Sequence, residues 1–197
     1  GADSSLAEVH AKSLAEAEGH TYVSPYNDAE VIAGQGTVGL ELLEQLPLID
    51  NLFISMGGGG LISGIGSVLK SMAPTTRIVG VSACNTAALA ASIKAGKVVK
   101  TEHLDTLADG VAGGVDENSL TVPLASEVID EIVHIDEDHI SEALRFLAWK
   151  ENMIVEGAAA LALAPLLAEP NKYAGGVNVV LLCGGNYDKD RMIEVLA

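Results

Sequence analysis

Basic residues are scarce in this 197-residue sequence: 11 lysines and arginines stand against 27 aspartates and glutamates, a formal charge of -16. Nucleic acid and anionic membrane surfaces both demand a basic face, so neither is an expected partner. Cysteine is scarcer still. Cys84 and Cys183 lie far apart and outside any metal-ligand pattern, which argues against a disulfide scaffold and for a reducing, cytoplasmic setting. The five histidines show no paired spacing, so no metal is expected. Long apolar runs are missing as well. The stretch 158–168 falls short of the ~20 residues that a membrane helix requires. There is no basic leader ahead of a signal-peptide core.

What remains is 49% hydrophobic, rich in Ala, Val and Leu, with 21 glycines. Its length suits one compact α/β domain or a large piece of one. Helical spacing predicts helices over 5–18, 37–45, 61–72, 85–95, 120–130, 136–151, 156–167 (with a kink at Pro165) and 188–196. Asp136 or Asp138 is the candidate N-cap of the helix over 136–151. Short apolar or β-branched runs predict strands over 20–24, 50–56, 77–82, 131–135 and 177–182, with 97–114 mostly connection. Strands that alternate with helices and are apolar on both faces imply a mostly parallel, twisted sheet with helices on both sides. His134, inside a strand, reads as a packed core residue.

The most specific motif is Met56-Gly57-Gly58-Gly59-Gly60-Leu61, placed between a buried strand and a helix. Four glycines leave successive backbone N–H groups unobstructed, and their convergence at a helix N-terminus suits a phosphate dianion. The plain alternative is a flexible turn, yet the loop sits at the C-terminal end of a strand, where α/β sheets bind ligands. No Gly-Lys-Ser/Thr follows, so this is not a nucleotide P-loop. Gly34-Gln35-Gly36-Thr37-Val38-Gly39 matches a dinucleotide fingerprint, but no convincing strand precedes it, and a helix start is the better use of those glycines.

A second motif, Leu181-Leu182-Cys183-Gly184-Gly185-Asn186, delivers a thiol and two glycines at the end of another apolar strand. Cys183 has three readings: a small buried cysteine, a nucleophile, or a weak hydrogen-bonding group aimed at a flat heteroaromatic cofactor.

Together these motifs resemble the fold-type II pyridoxal-phosphate enzymes, specifically the serine/threonine dehydratase family. Ala33-Gly34-Gln35-Gly36-Thr37 with Glu41, Leu107-Ala108-Asp109-Gly110-Val111 and Glu156-Gly157-Ala158-Ala159 extend the resemblance over nearly the whole chain, in the family's order. The resemblance implies that Gly57, Gly58, Gly59, Gly60 and the Leu61 amide hold the phosphate of pyridoxal 5'-phosphate. It places Cys183 beside the pyridine nitrogen, where the family has Ser, Thr or Cys. A neutral group there leaves the cofactor a weaker electron sink than an aspartate would, which suits prompt loss of a β-hydroxyl. Glu156 would lie near the ring or the substrate amine, or else act only as a carboxylate at a helix N-terminus. Gly110 and Val111 would shape the rim beside the cofactor.

Two family features are absent. None of the eight lysines has the context of a Schiff-base lysine, and no Ser-Gly-Asn-His type loop is present to hold a substrate carboxylate. With Gly1 as first residue, residues 1–197 are therefore expected to be the C-terminal portion of a catalytic domain, mostly its large domain. Ser82 stands where some members carry a cation-binding carboxylate, which again implies no metal. The implied activity of the parent protein is conversion of a small β-hydroxy amino acid, threonine or serine, to a 2-oxo acid and ammonia in a homo-oligomer. A racemase or a dehydratase of ectoine derivatives from the same family is compatible, as is a non-catalytic remnant that binds phosphate or the cofactor weakly.

Overall fold

The computed structural model describes residues 4–197. Nine helices and four strands occur among them: α1 (Ser4–Glu18), α2 (Ala29–Gln45), β1 (Asn51–Ser55), α3 (Gly60–Met72), β2 (Arg77–Ala83), α4 (Ala88–Ala95), α5 (Thr121–Val128), β3 (Glu131–Ile135), α6 (Glu137–Lys150), α7 (Gly157–Leu161), α8 (Ala164–Ala168), β4 (Asn178–Val180) and α9 (Lys189–Leu196). The strands form one sheet in the order β3-β2-β1-β4, parallel at every pairing. Leu52 stands beside Ile78 and Val179, and Phe53 beside Val79 and Val180.

Alternation along the strands builds two cores. Leu52, Ile54 and Ile78 face a cluster completed by Ile62, Ile65 and Leu69 of α3 and by Val122 and Val128 of α5. Phe53, Val79 and Val81 point the other way, into a cluster with Ile140 and Leu144 of α6 and Leu161 of α7. Successive side chains of a strand leave by opposite faces, so a sheet covered on both sides needs apolar residues at every position. The expected mostly parallel α/β architecture is the one observed.

The chain visits β1, β2 and β3 in one direction across the sheet and then returns to place β4 on the other side of β1. The strand order therefore reverses between β1 and β4. At such a point the connections leave on opposite faces and a crevice opens beyond the carboxyl ends of the strands.

Several sequence expectations are corrected. Residues 20–24 form no strand; they run unpaired into a turn in which Ser24 Oγ accepts from the Asn27 N–H at 3.0 Å. The second helix begins at Ala29 rather than at 37, because Asp28 caps it by accepting from the Glu30 and Val31 amides. Gly34, Gly36 and Gly39 thus lie within α2 and do not start it. A Cβ on Gly36 or Gly39 would come within 3.1 Å of Val68, and one on Gly64 would run into the Ile32 carbonyl, so the fingerprint-like spacing serves close packing of α2 on α3. That packing outweighs the roughly 1 kcal/mol that each helical glycine costs relative to alanine.

The helix expected from 85 begins at Ala88, after a turn closed by the Thr86 N–H on the Ala83 carbonyl. The one expected from 120 spans only Thr121–Val128. The segment expected to kink at Pro165 is two short helices, α7 and α8, broken ahead of the proline. β4 is three residues long: its pairing with β1 ends at Phe53 and Val180, while β1 runs on beside β2 to Ser55. His134 is exposed, since β3 is an edge strand and nothing covers that side chain. Asp136, not Asp138, is the N-cap of α6, accepting from the His139 amide at 3.0 Å. No helix among the described residues is long and apolar enough to cross a membrane.

Candidate active site

A cavity of about 470 Å³ lies at the β1/β4 crevice, within the size range of small-molecule sites. Its wall includes Gly57, Gly58, Gly59, Gly60 and Leu61 from the loop after β1, Gly110 and Val111 from the 3-10 turn Asp109–Val111, Glu156 ahead of α7, and Cys183 beyond β4. Segments more than a hundred residues apart meet here because both strands end at the same edge of the sheet. Every residue singled out from the sequence as a site candidate lies on this one wall.

The glycine loop presents donors. Among the described residues, the N–H groups of Gly57 through Leu61 have no hydrogen-bond acceptor within the protein. Three of them belong to the cap and first turn of α3, where N–H groups are orphaned by helix geometry and the macrodipole adds positive potential. The chain reaches this arrangement through Gly59, whose φ of 91° is left-handed.

The need for glycine comes from the protein side of the loop, not from the cavity. A Cβ on Gly57 would lie 3.1 Å from the Val111 Cα; one on Gly58 would enter the Tyr26 ring; one on Gly60 would lie 2.9 Å from the Tyr26 Cα. Tyr26 was not identified from the sequence as a site residue, yet it walls the cavity and packs on the loop. Its hydroxyl accepts from the Asp116 N–H at 3.0 Å, and burial pushes the phenol well above its ordinary range, so it stays neutral. Pro25-Tyr26-Asn27 carries no signal at the sequence level beyond the end of an extended run.

Glu156 is the residue that caps α7, but its carboxylate binds no α7 amide. Instead Oε2 accepts from the Asn186 N–H at 2.8 Å, while its own N–H reaches the Gly184 carbonyl at 3.4 Å. The carboxylate thus ties α7 to the loop that bears Cys183. Gly184 has a φ of 127°, and a Cβ there would run into the Glu156 carboxylate; one on Gly110 would lie 2.7 Å from its Oε1. Ser55 Oγ donates to the Ala158 carbonyl at 2.6 Å and fixes α7 against the end of β1.

Cys183 is exposed, which removes the buried-cysteine reading. Cys84 does not line the cavity; partial burial, then the nearby Asp136 and Glu137 carboxylates, push its thiol up, away from the thiolate form. Among the described residues, no lysine lines the cavity. Lys70 and Lys172 are paired instead with Asp130 and Glu131, which flank the opposite, N-terminal edge of the sheet.

These residues fit a phosphorylated heteroaromatic ligand. The free amides of Gly57 to Leu61 would suit an anion, and the Cys183 thiol and Glu156 carboxylate on the same cavity wall would suit a ring and its polar substituents.

Comparison with known proteins agrees with this chemistry. Residues 1–184 match the family described as pyridoxal-phosphate dependent enzymes. The catabolic L-threonine dehydratase of Escherichia coli (strain K12) is 39% identical over 184 residues, covering 92% of this chain and 56% of that protein. The L-threonine ammonia-lyase of Thermotoga maritima is 37% identical, covering 93% of this chain and 45% of that protein. The chain thus spans about half the length of these curated relatives. Among solved structures, the processed form of threonine deaminase isoform 2 from Solanum lycopersicum superposes with a TM-score of 0.88 at 36% identity, over 95% of this chain and 55% of that one. Maize serine racemase gives 0.84 at 31%, over 95% and 59%.

Proposed function

The chain belongs to the pyridoxal-phosphate dependent enzyme family, and from that premise we propose that it supplies the cofactor-binding part of an ammonia-lyase that converts L-threonine or L-serine to a 2-oxo acid and ammonia. The observation that carries this reading is the row of unpartnered amides from Gly57 to Leu61, open to a cavity that Cys183 and Glu156 also line. The choice of substrate follows the threonine dehydratases and ammonia-lyases among the relatives. A serine racemase is the second reading, favoured by the likeness to the maize enzyme.

Bound pyridoxal phosphate supplies the electron sink for breaking bonds at the α- and β-carbons of an amino acid. This chain's residues bind and orient the cofactor. The amides of Gly57, Gly58, Gly59, Gly60 and Leu61 hold the phosphate dianion on the positive end of α3. The Cys183 thiol bonds weakly to the ring nitrogen and leaves it without the full positive charge that a carboxylate would stabilise. Glu156, oriented by the Asn186 N–H, faces the ring or the substrate amine. Gly110 and Val111 close the rim. With no lysine on the wall, the chain by itself is not expected to turn over. Residues 1–197 then constitute most of a large domain in an oligomeric cytoplasmic enzyme.

Calorimetry with 4'-deoxypyridoxine 5'-phosphate, which has no aldehyde to react with surface lysines, tests the cradle. One or two net hydrogen bonds to a charged group, at about 1.5–3 kcal/mol each, already amount to ~100-fold, so the phosphate should make this ligand bind at least about 100-fold tighter than 4'-deoxypyridoxine. Equal affinities would overturn the reading. The ultraviolet spectrum of the bound ligand tests Cys183. A carboxylate within ~4–6 Å raises the pKa of a cationic group by roughly 1–3 units, so C183D should keep the ring nitrogen protonated to higher pH. C183S should titrate as the unsubstituted chain does. Identical titrations for C183D and C183S would remove Cys183 from the ring nitrogen.

A further inference from the structure

The free amides of the glycine loop point into the cavity only if something holds the loop's carbonyls away from it. At Gly58 a side chain does so. Thr121, the first residue of α5, is fully buried and lies outside the cavity wall; its Oγ1 donates to the Gly58 carbonyl at 2.6 Å. In a planar trans peptide the C=O and the following N–H point in opposite directions. Drawing the Gly58 carbonyl toward Thr121, behind the loop, turns the Gly59 N–H to the front, where the cavity is.

The hydroxyl is itself held in that role. Thr121 Oγ1 lies 2.8 Å from Ser119 Oγ, and because a carbonyl can only accept, the Thr121 proton is committed to Gly58. Ser119 must therefore donate to Thr121, while its own oxygen accepts from the Thr121 and Val122 amides at 3.1 Å. The segment that carries both residues is fastened from the far side by Asn27, whose Oδ1 accepts from the Leu120 N–H at 2.8 Å and whose Nδ2 donates to Asp116 Oδ2 at 2.9 Å. The direction of the hydrogen-bond relay is thereby fixed: Ser119 to Thr121 to Gly58.

We propose that Thr121 is a positioning residue for anion binding, which aims the Gly59 amide at the ligand's phosphate through the Gly58 peptide plane. This rests on the phosphate-cradle reading above and adds a residue that does not touch the ligand. Without the hydroxyl the Gly58–Gly59 peptide is free to turn over, and one hydrogen bond to the phosphate is lost. The unphosphorylated part of the ligand is unaffected.

The test compares T121V and T121S in the 197-residue chain, using 4'-deoxypyridoxine 5'-phosphate and 4'-deoxypyridoxine. T121V should bind the phosphorylated compound about tenfold more weakly, the worth of one charge-assisted hydrogen bond, with no change for the unphosphorylated one. T121S should behave as the unsubstituted chain. A general loss of structure would weaken both ligands together, so the ratio of their affinities is the informative quantity. A T121V ratio equal to that of the unsubstituted chain overturns the proposal. If the unsubstituted chain itself shows no preference for the phosphorylated ligand, the cradle reading fails first. A measurement without any variant stands beside these: on titration with the phosphorylated ligand, the amide proton resonance of Gly59 should move downfield. A Gly59 resonance that stays put while its neighbours shift would equally overturn the role of Thr121.

Discussion

Replacing Gly59 with alanine should abolish most of the affinity for 4'-deoxypyridoxine 5'-phosphate, by about 100-fold, while leaving the fold in place. Two costs combine at this position. A φ of 91° puts any L side chain in the left-handed region, at about 1–2 kcal/mol. The new Cβ would also lie 2.9 Å from the Thr121 Cβ and 3.0 Å from the Leu89 Cδ2, and crowding of this kind costs typically ~1–3 kcal/mol. Thr121 and Leu89 are both buried, so neither has room to withdraw. The loop has more freedom than they do, because among the described residues its amides find no acceptor. It relieves the strain by moving, and in moving it loses the convergence of its N–H groups. The helix behind it stays anchored by Ile62, Ile65 and Leu69. Calorimetry should therefore show the affinity loss with a thermal midpoint only a few degrees lower. Affinity within threefold of the unsubstituted chain would mean that the left-handed geometry is unnecessary for binding.

The contrast between what was legible in the sequence and what was not follows the range of the interactions. The strands of the sheet centre announce themselves because burial on both faces leaves no polar position, as in Leu52-Phe53-Ile54 and Ile78-Val79-Gly80-Val81. The glycine loop is legible for the opposite reason, since four glycines in a row have few purposes. Sequence periodicity contains nothing about which strands are neighbours, so the reversal between β1 and β4, which makes the crevice, appears only in the fold. Glycines 36 and 39 mislead locally because their role is set by another helix. Tyr26 and Thr121 are silent for the same reason: the Thr121 hydroxyl acts on a carbonyl 63 residues earlier in the chain. His134 shows the converse failure. An apolar context in sequence does not distinguish an edge strand from a central one, and only the edge leaves that side chain in solvent.

The same reasoning predicts where the scaffold, not the loop, is least tolerant. Gly157 to Val should lower stability by about 3–5 kcal/mol, at the upper end of what overpacking and single substitutions do. For a chain of this size that is a fall of roughly 10 °C or more in Tm. Gly157 opens α7, and a Cβ there would fall on the Leu107 carbonyl, with the Ala108 nitrogen 3.1 Å away. These are backbone atoms that cannot rotate aside. The 107–108 segment is pinned from behind, since the Leu107 N–H donates to Glu137 Oε2 at 2.7 Å and the Ala108 N–H to Thr106 Oγ1 at 3.1 Å. On the other side, Ala158, Ala159, Ala160 and Leu161 are all in the core. Whichever side moves, buried contacts or buried hydrogen bonds are lost. Because Asp109–Val111 follows directly and Glu156 directly precedes, the folded fraction should also bind ligand more weakly. Urea and thermal unfolding measure the first effect. A midpoint lowered by less than about 3 °C, under ~1.5 kcal/mol for a chain of this length, would mean that the 107–111 segment swings away freely and is not part of the rigid wall. On the proposed reading of the site, Gly59 and Gly157 thus belong to a compliant element for the anion and a stiff one for the rim. Substitution at Gly59 should register in affinity before stability, and substitution at Gly157 in stability first.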